Sequence, residues 1–256
     1  MSKGSASRFA GAENAPRPAS PRTDQALSRQ VYATLRDQIS HFVRKPYEPI
    51  SEQALAEELG VSRTPVREAL ARLSELGFVD IVPQSGSRIA PLRLADLEKS
   101  QFLREALELA LLNRALERGD RGALLMRLRT ELAIQQALVE AGDVARFYAS
   151  DEQFHAAIGE QAGLSTVLPE MARAKTHMDR FRHLMLSGLE SLPTILAQHQ
   201  AIVMAMAADD APGAVVAMQT HLRRILAFVD KARAAHPDYF EGPREPARTR
   251  RREARV

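Results

Sequence analysis

The chain has 256 residues, enough for two modest domains or one large one, and its 45% hydrophobic and 26% charged content is that of ordinary globular proteins. It contains no cysteine, which excludes disulfide scaffolds, thiolate zinc sites, iron–sulfur clusters and cysteine nucleophiles. The net charge is +3 and no apolar run is long enough to cross a bilayer or to form a secretory signal, so no membrane partner and a cytoplasmic location are expected.

In chain order, residues 1–25 come first, a stretch rich in Ala, Pro, Ser and Arg that reads as a disordered basic tail. The charge is concentrated at the two ends. Residues 1–30 carry five basic and two acidic groups, residues 244–256 carry six and two, and the body between them is left at −4. The C-terminal stretch 236–256, with "RTRRREAR" at 248–255, reads as a second disordered tail able to add non-specific attraction to a polyanion.

From 26 to 92 the pattern is three helices and a hairpin. Leu27, Val31, Leu35, Ile39 and Phe42 give residues 26–44 a helical period. Ser51 is placed as the N-cap of a second helix, with Ile50 and Leu55 as a hydrophobic staple, and Gly60 ends it. A third helix runs from Ser62 to a C-terminal glycine at Gly77. "FVDIV" and "SRIAPL" then flank the turn "PQSG", predicting a two-stranded hairpin.

Two helices joined at Gly60-Val61 in "LAEELGVSRTPVREALARL" (55–73) fit helix-turn-helix geometry, in which the second helix enters the major groove. Leu55, Leu59, Val61, Val66, Leu70 and Leu73 supply the shared apolar seam, while Ser62, Arg63, Thr64 and Arg67 crowd the first turns of the second helix. Pro65 is tolerated there because a first-turn amide has no intrahelical partner. Hydroxyls and a helix N-terminus suit phosphate, and an arginine can give guanine two parallel bonds. In the hairpin, Gly86 lets backbone approach DNA, with Arg88 beside it. The competing reading pairs Arg63 and Arg67 with Glu57, Glu58 or Glu68 on an ordinary charged surface.

"LGVSRTPVREALARLSELGFV" closely resembles the winged helix-turn-helix of GntR-family bacterial transcription regulators, over about residues 26–92. The resemblance implies operator contacts by Arg63 and Arg67, with Ser62 as a phosphate partner. The chain differs at Gln53, where a basic residue is common, and in "PQSGS", which lacks the arginine often found before the wing glycine.

Beyond residue 94 the strand signals stop. Helices are predicted at 94–118, 121–141, 143–162, 166–187, 191–208 and 211–235, making residues 94–235 an all-α bundle. Asp151 and His155 lie one turn apart on a helix face. His199 and His221 lie eleven residues either side of Asp210, in a turn followed by Pro212. In a helical hairpin, equal arms of about 16 Å put the two imidazoles at one level. Three imidazoles and a carboxylate suit Zn, Ni, Mn or Fe. Each histidine taken alone is an ordinary hydrogen-bonded helix residue, and His177 and His183 have no comparable spacing.

"DEQFHAAIGEQAG" and "QHQAIVMAMAADDAPGAVVAMQTHL" resemble the FCD effector domain of the FadR subgroup, over about residues 96–235. The resemblance implies a divalent metal on Asp151, His155, His199 and His221, open to a small organic acid effector, with Leu164 in place of a commonly polar residue. Arg104 matches a family arginine that can pair an effector carboxylate; a salt link to Glu108 is the alternative.

An enzyme is not expected. Glu152 to His155 spells the E-x-x-H of di-iron bundles, but Leu196 and Met218 occupy the positions where a second copy would need its glutamate. The sequence therefore predicts a mainly α protein: a winged helix-turn-helix, then a helical-bundle effector domain. It would act as a homodimeric, effector-responsive regulator on double-stranded operator DNA. One alternative keeps the DNA binding and makes the metal purely structural; a helical-bundle metalloenzyme is the remote one.

Overall fold

The computed structural model describes residues 21–82, 86–119, 121–185 and 192–242. Helices α1 (Pro21–Ser40), α2 (Glu52–Leu59) and α3 (Arg63–Glu75) come first, with β1 (Pro49–Ile50) between α1 and α2. β2 (Val79–Val82) and β3 (Gly86–Ile89) follow α3. The expected two-stranded hairpin is β2–β3, and β1 adds to its edge, giving an antiparallel sheet of order β1-β3-β2. Pro49 suits such a position because an edge strand can do without its amide.

Local chemistry sets the helix ends here. The Ser51 hydroxyl accepts from the Ala54 amide at 3.3 Å, and Gly60 closes α2 with φ +65°, a conformation glycine adopts without strain. Val31, Leu35 and Ile39 of α1 pack on Leu55 of α2, Val66, Leu70 and Leu73 of α3, and Phe78, Val79 and Ile89 of the hairpin. α1 begins at Pro21, inside the stretch expected to be tail, and ends before Phe42, whose φ of +58° breaks the helix. Residues 1–20, 83–85 and 243–256, which carry most of both predicted tails and the hairpin turn, lie outside the described residues.

The second region is α4 (Leu94–Glu117), α5 (Gly122–Ala141), α6 (Val144–Gln161), α7 (Leu168–Ala174), α8 (Thr176–Met185), α9 (Leu192–Ala207), α10 (Ala211–Arg223) and α11 (Val229–Ala235). Its centre is an apolar cluster including Leu111, Leu112, Leu128, Phe154, Ile158, Ile202, Met206 and Met218. Asp143 and Asp210 cap α6 and α10, accepting from the amides of Arg146 at 3.0 Å and Gly213 at 2.9 Å.

Two helices predicted as continuous are each divided. The one expected at 166–187 splits at Lys175, where the Thr176 hydroxyl donates to the carbonyls of Ala172 and Arg173, competing with the main-chain ladder. The one expected at 211–235 tightens into a 3-10 segment at Arg224–Phe228. That change of direction brings Ala232 of α11 against Leu92, Leu97, Met178, Phe181 and Phe240.

Phe240 belongs to residues 236–242, which were expected to be tail and instead fold back onto the junction between the two regions. Leu92 N donates to Tyr239 O at 2.8 Å and Glu241 N to Leu92 O at 2.9 Å. The Tyr47 hydroxyl donates to Phe240 O at 2.9 Å, tying the winged region to the same strap.

Candidate functional site

Asp151 and His155 project from consecutive turns of α6, His199 from α9 and His221 from α10. All four are buried, and each offers a ligand atom within 4.8 Å of the others. His221 Nε2 lies 3.2 Å from His155 Nε2 and 3.4 Å from His199 Nε2. Asp151 Oδ1 is 3.4 Å from His199 Nε2 and 3.9 Å from His155 Nε2. The equal arms about Asp210 do bring His199 and His221 to one level.

The other ring nitrogens point outward to oxygens. His199 Nδ1 is 2.8 Å from Gln135 Oε1 of α5, and His221 Nδ1 is 3.3 Å from Gln198 Oε1. His155 Nδ1 is 2.5 Å from Glu108 Oε2 of α4. The amide oxygens of Gln135 and Gln198 accept from Nδ1 of His199 and His221, so the lone pair of each of these two rings falls on Nε2 and faces the centre. Two converging lone pairs and a carboxylate repel one another, and a cation among them relieves that repulsion.

Electrostatics favour the same state. Burial pushes the His199 imidazole down to about 3 and holds His221 well below its ordinary value, so both are neutral near pH 7. Burial by itself would raise the Asp151 carboxyl, but Arg182 and the histidines outweigh it and hold it well below the carboxylate range. Two neutral imidazoles and an ionised carboxylate, with His155 beside them, form a donor set suited to a divalent metal. Oδ2 of Asp151 is buried with no hydrogen-bond donor, an orphan that a cation or a bound ligand would satisfy. The residues fit a metal; its identity is not fixed by them.

Arg104 makes the salt link to Glu108 that was the alternative reading, and it also borders the cluster. Its Nε donates to Glu108 Oε1 at 2.6 Å, while Nη2 reaches to 3.3 Å from His155 Nε2 at the cluster's edge. Its neighbours include two cations absent from the sequence reading. Arg182 of α8 has Nη1 3.6 Å from Asp151 Oδ2, and Lys175 pairs with Glu152. Their signal was unreadable because Lys175 is itself the break between α7 and α8, and the spacing of Arg182 to Asp151 depends on that break.

The winged region presents a second surface. Ser62, Arg63, Thr64 and Arg67 are exposed on the first turns of α3, while Pro65 and Val66 between them are buried. The Ser62 hydroxyl makes no capping bond and is free for another acceptor or donor. Gly86 opens β3 with φ +85° and open space around it, and Arg88 lies 3.6 Å from Asp80 and over the Tyr47 ring at 5.4 Å. The expected charge partners are corrected. Arg63 and Arg67 pair with Glu52 of α2, not with Glu57, Glu58 or Glu68, because Gly60 turns the start of α3 back beside the start of α2.

α8 stands between the two surfaces. His177, Arg180 and His183, three apart, share one face and meet the winged region. His177 Nε2 is 2.7 Å from Leu76 O, Arg180 Nη2 donates to Ala90 O at 2.9 Å, and His183 Nδ1 is 3.1 Å from Ser40 O. Met178 and Arg182 lie on the opposite face, beside Arg104 and Asp151. His177 and His183, without a role by spacing, are thus contacts between the two regions.

A helix-turn-helix with a wing, its arginines exposed, set on a helical bundle with a buried histidine–aspartate cluster, defines a two-domain DNA-binding regulator. Residues 27–89 match the model of the bacterial regulatory proteins of the gntR family, and residues 101–224 match that of the FCD domain. The chain belongs to the GntR family and has the FadR-like combination of winged helix-turn-helix and FCD domain. It is 38% identical to a transcriptional regulator in an unstable DNA locus of Streptomyces ambofaciens, covering 83% of this chain and 89% of that one. It is 29% identical to the transcriptional repressor RspR of Escherichia coli, covering 84% and 94%. In fold it is similar to Escherichia coli McbR/YncC, with TM-score 0.64 at 24% identity over 80% of this chain and 97% of that one. These families and relatives are transcription regulators, not enzymes. Among the described residues no helix is long and apolar enough to cross a membrane.

Proposed function

We propose that this regulator senses a small organic acid at a divalent metal in its FCD domain and converts binding into a change of operator affinity. The observation that carries the reading is the convergence of three Nε2 atoms and Asp151 Oδ1, with each Nδ1 anchored to an oxygen of Gln135, Gln198 or Glu108. A cation held there would present open positions to a carboxylate. Arg104 and Arg182, both at the cluster's edge, supply positive charge for that same anion.

Residues 26–92 then form the DNA-binding unit, with Ser62, Arg63, Thr64, Arg67, Gly86 and Arg88 as its contact set. Residues 94–235 form the effector and dimerisation unit. A homodimer suits the two-fold operators that helix-turn-helix readers commonly use. α8 is the coupling element: an anion bound at the cluster would draw on Arg182, which sits on the same helix as His177, Arg180 and His183. Only a ligand that binds the DNA-competent and incompetent arrangements unequally moves the balance.

Dialysis against a chelator tests sensing against a purely structural metal. With sensing, the metal-free chain keeps a cooperative melt but its operator affinity no longer responds to any small carboxylic acid. Unfolding of the helical domain on chelation supports the structural role instead.

A further inference from the structure

Glu52 occupies the first turn of α2, where Ser51 caps the helix and a carboxylate is favoured by the helix N-terminus. Its two oxygens hold the two arginines in the first turns of α3, Arg63 and Arg67. Arg67 Nε is 3.3 Å from each of them and Arg67 Nη2 3.1 Å from Oε2, while Arg63 reaches Oε2 through Nη2 alone, at 3.2 Å. The two arginines engage Glu52 differently, and the difference matters for what remains free.

A guanidinium has two forks: a side fork of Nε with Nη2, and an end fork of Nη1 with Nη2. Glu52 occupies the side fork of Arg67. The end fork is left pointing onward along the side chain, and its two parallel N–H donors match guanine N7 and O6. Arg63 gives Glu52 one nitrogen and keeps Nε and Nη1 for other acceptors. It lies one residue after the uncapped hydroxyl of Ser62, as a phosphate clamp would.

We infer that Glu52 is a positioning residue for sequence readout: it buttresses Arg67 for end-on recognition of guanine and assigns Arg63 to the phosphate backbone. The inference rests on the operator-binding reading of Arg67. In water such an exposed ion pair does little, because solvent screens it and side-chain entropy opposes it. Once DNA covers the site and water is excluded, the same pair fixes one rotamer of a long, flexible side chain. The negative charge of Glu52 also opposes non-specific attraction to phosphate, so the residue trades affinity for selectivity.

The test uses the full chain and a duplex selected by it from a random-sequence pool, with a scrambled duplex as control. Glu52→Gln keeps the size and removes the charge. It is expected to weaken binding to the selected duplex about tenfold or more, while the scrambled duplex binds as well or better. In an Arg67→Ala background Glu52→Gln should cause no further loss of affinity for the selected duplex. Glu52→Ala, which a capped first turn accommodates, is the second variant and should behave alike. Undiminished or tighter binding to both duplexes would overturn the inference, since Glu52 would then only screen the arginines. So would an equal loss in the Arg67→Ala background. If Arg67→Ala itself binds the selected duplex normally, the assignment of Arg67 fails, and that failure is seen separately.

Discussion

Nε2 of His155 and Nε2 of His221 face each other at 3.2 Å inside the helical domain, while the Nδ1 of each ring is turned to an oxygen, of Glu108 and Gln198 respectively. A cation between the two nitrogens would hold both at that distance. The anchors are therefore as much a part of the cluster as its four inner side chains.

Gln135 anchors His199, so Gln135→Leu should weaken the metal without removing a ligand. A loss of about 10–100-fold in affinity is expected, measured by competition with a chromophoric chelator. Metal affinity equal to that of the unchanged chain would show that the His199 ring needs no anchor.

Arg67→Ala is expected to abolish specific binding to a selected operator duplex, while thermal melting stays within a few degrees because the side chain is exposed on α3. Fluorescence anisotropy measures the binding. Unchanged specific affinity would remove Arg67 from the contact set.

Arg180 is fully buried between the two domains, over the Phe78 ring at 5.0 Å, with Nε and Nη1 lacking any hydrogen-bond partner. Burial lowers it to about 10, so it remains charged at pH 7. A buried cation with two unsatisfied nitrogens is costly, and an apolar side chain of similar length avoids that cost. Arg180→Met should therefore leave the melting temperature unchanged or raise it by a few degrees, while blunting any response of operator affinity to effector. A large fall in melting temperature would mean that the charge itself stabilises the junction.

Acid should loosen the same junction. Burial lowers both His177 and His183, with His41 adding to the effect on His183; Asp96 faces the first and Asp179 the second and oppose it, while Arg93, Arg180 and Arg182 reinforce it. A histidine whose folded value lies below its free value of about 6.5 contributes its stability above that pH and loses it as pH falls. Proteolysis within the 90–94 junction, or hydrogen exchange at Ala90 and Leu92, is expected to rise below about pH 6.5. Exchange that is flat from pH 8 to pH 5, after correction for intrinsic rates, would contradict this.

Much of the fold was legible because it is written locally. Ser51, Gly60, Asp143 and Asp210 mark their helix ends by cap chemistry, and the equal spacing of His199 and His221 about one turn encodes their meeting. What failed to show in sequence depends on contacts between distant segments. Gln135 and Glu108 reach the histidines from other helices, and His177, Arg180 and His183 acquire partners in the other domain. The splits at Lys175 and Arg224 escaped the periodicity because apolar spacing continues through them. Glu52 is farther along the chain from Arg63 and Arg67 than Glu57, Glu58 and Glu68, and only the turn at Gly60 brings it beside them.

The most direct test of a metal-borne effector switch compares the wild-type chain with the His199→Ala/His221→Ala chain. Each is exposed to Zn, Ni, Mn or Fe, freed of excess by desalting, analysed for bound metal and titrated with small carboxylic acids against a selected operator duplex. Close to one equivalent of metal is expected on the wild type, with a shift in operator affinity for at least one acid, both lost in the double variant. Retention of full metal by the double variant, or an acid response that survives without metal, would contradict such a switch.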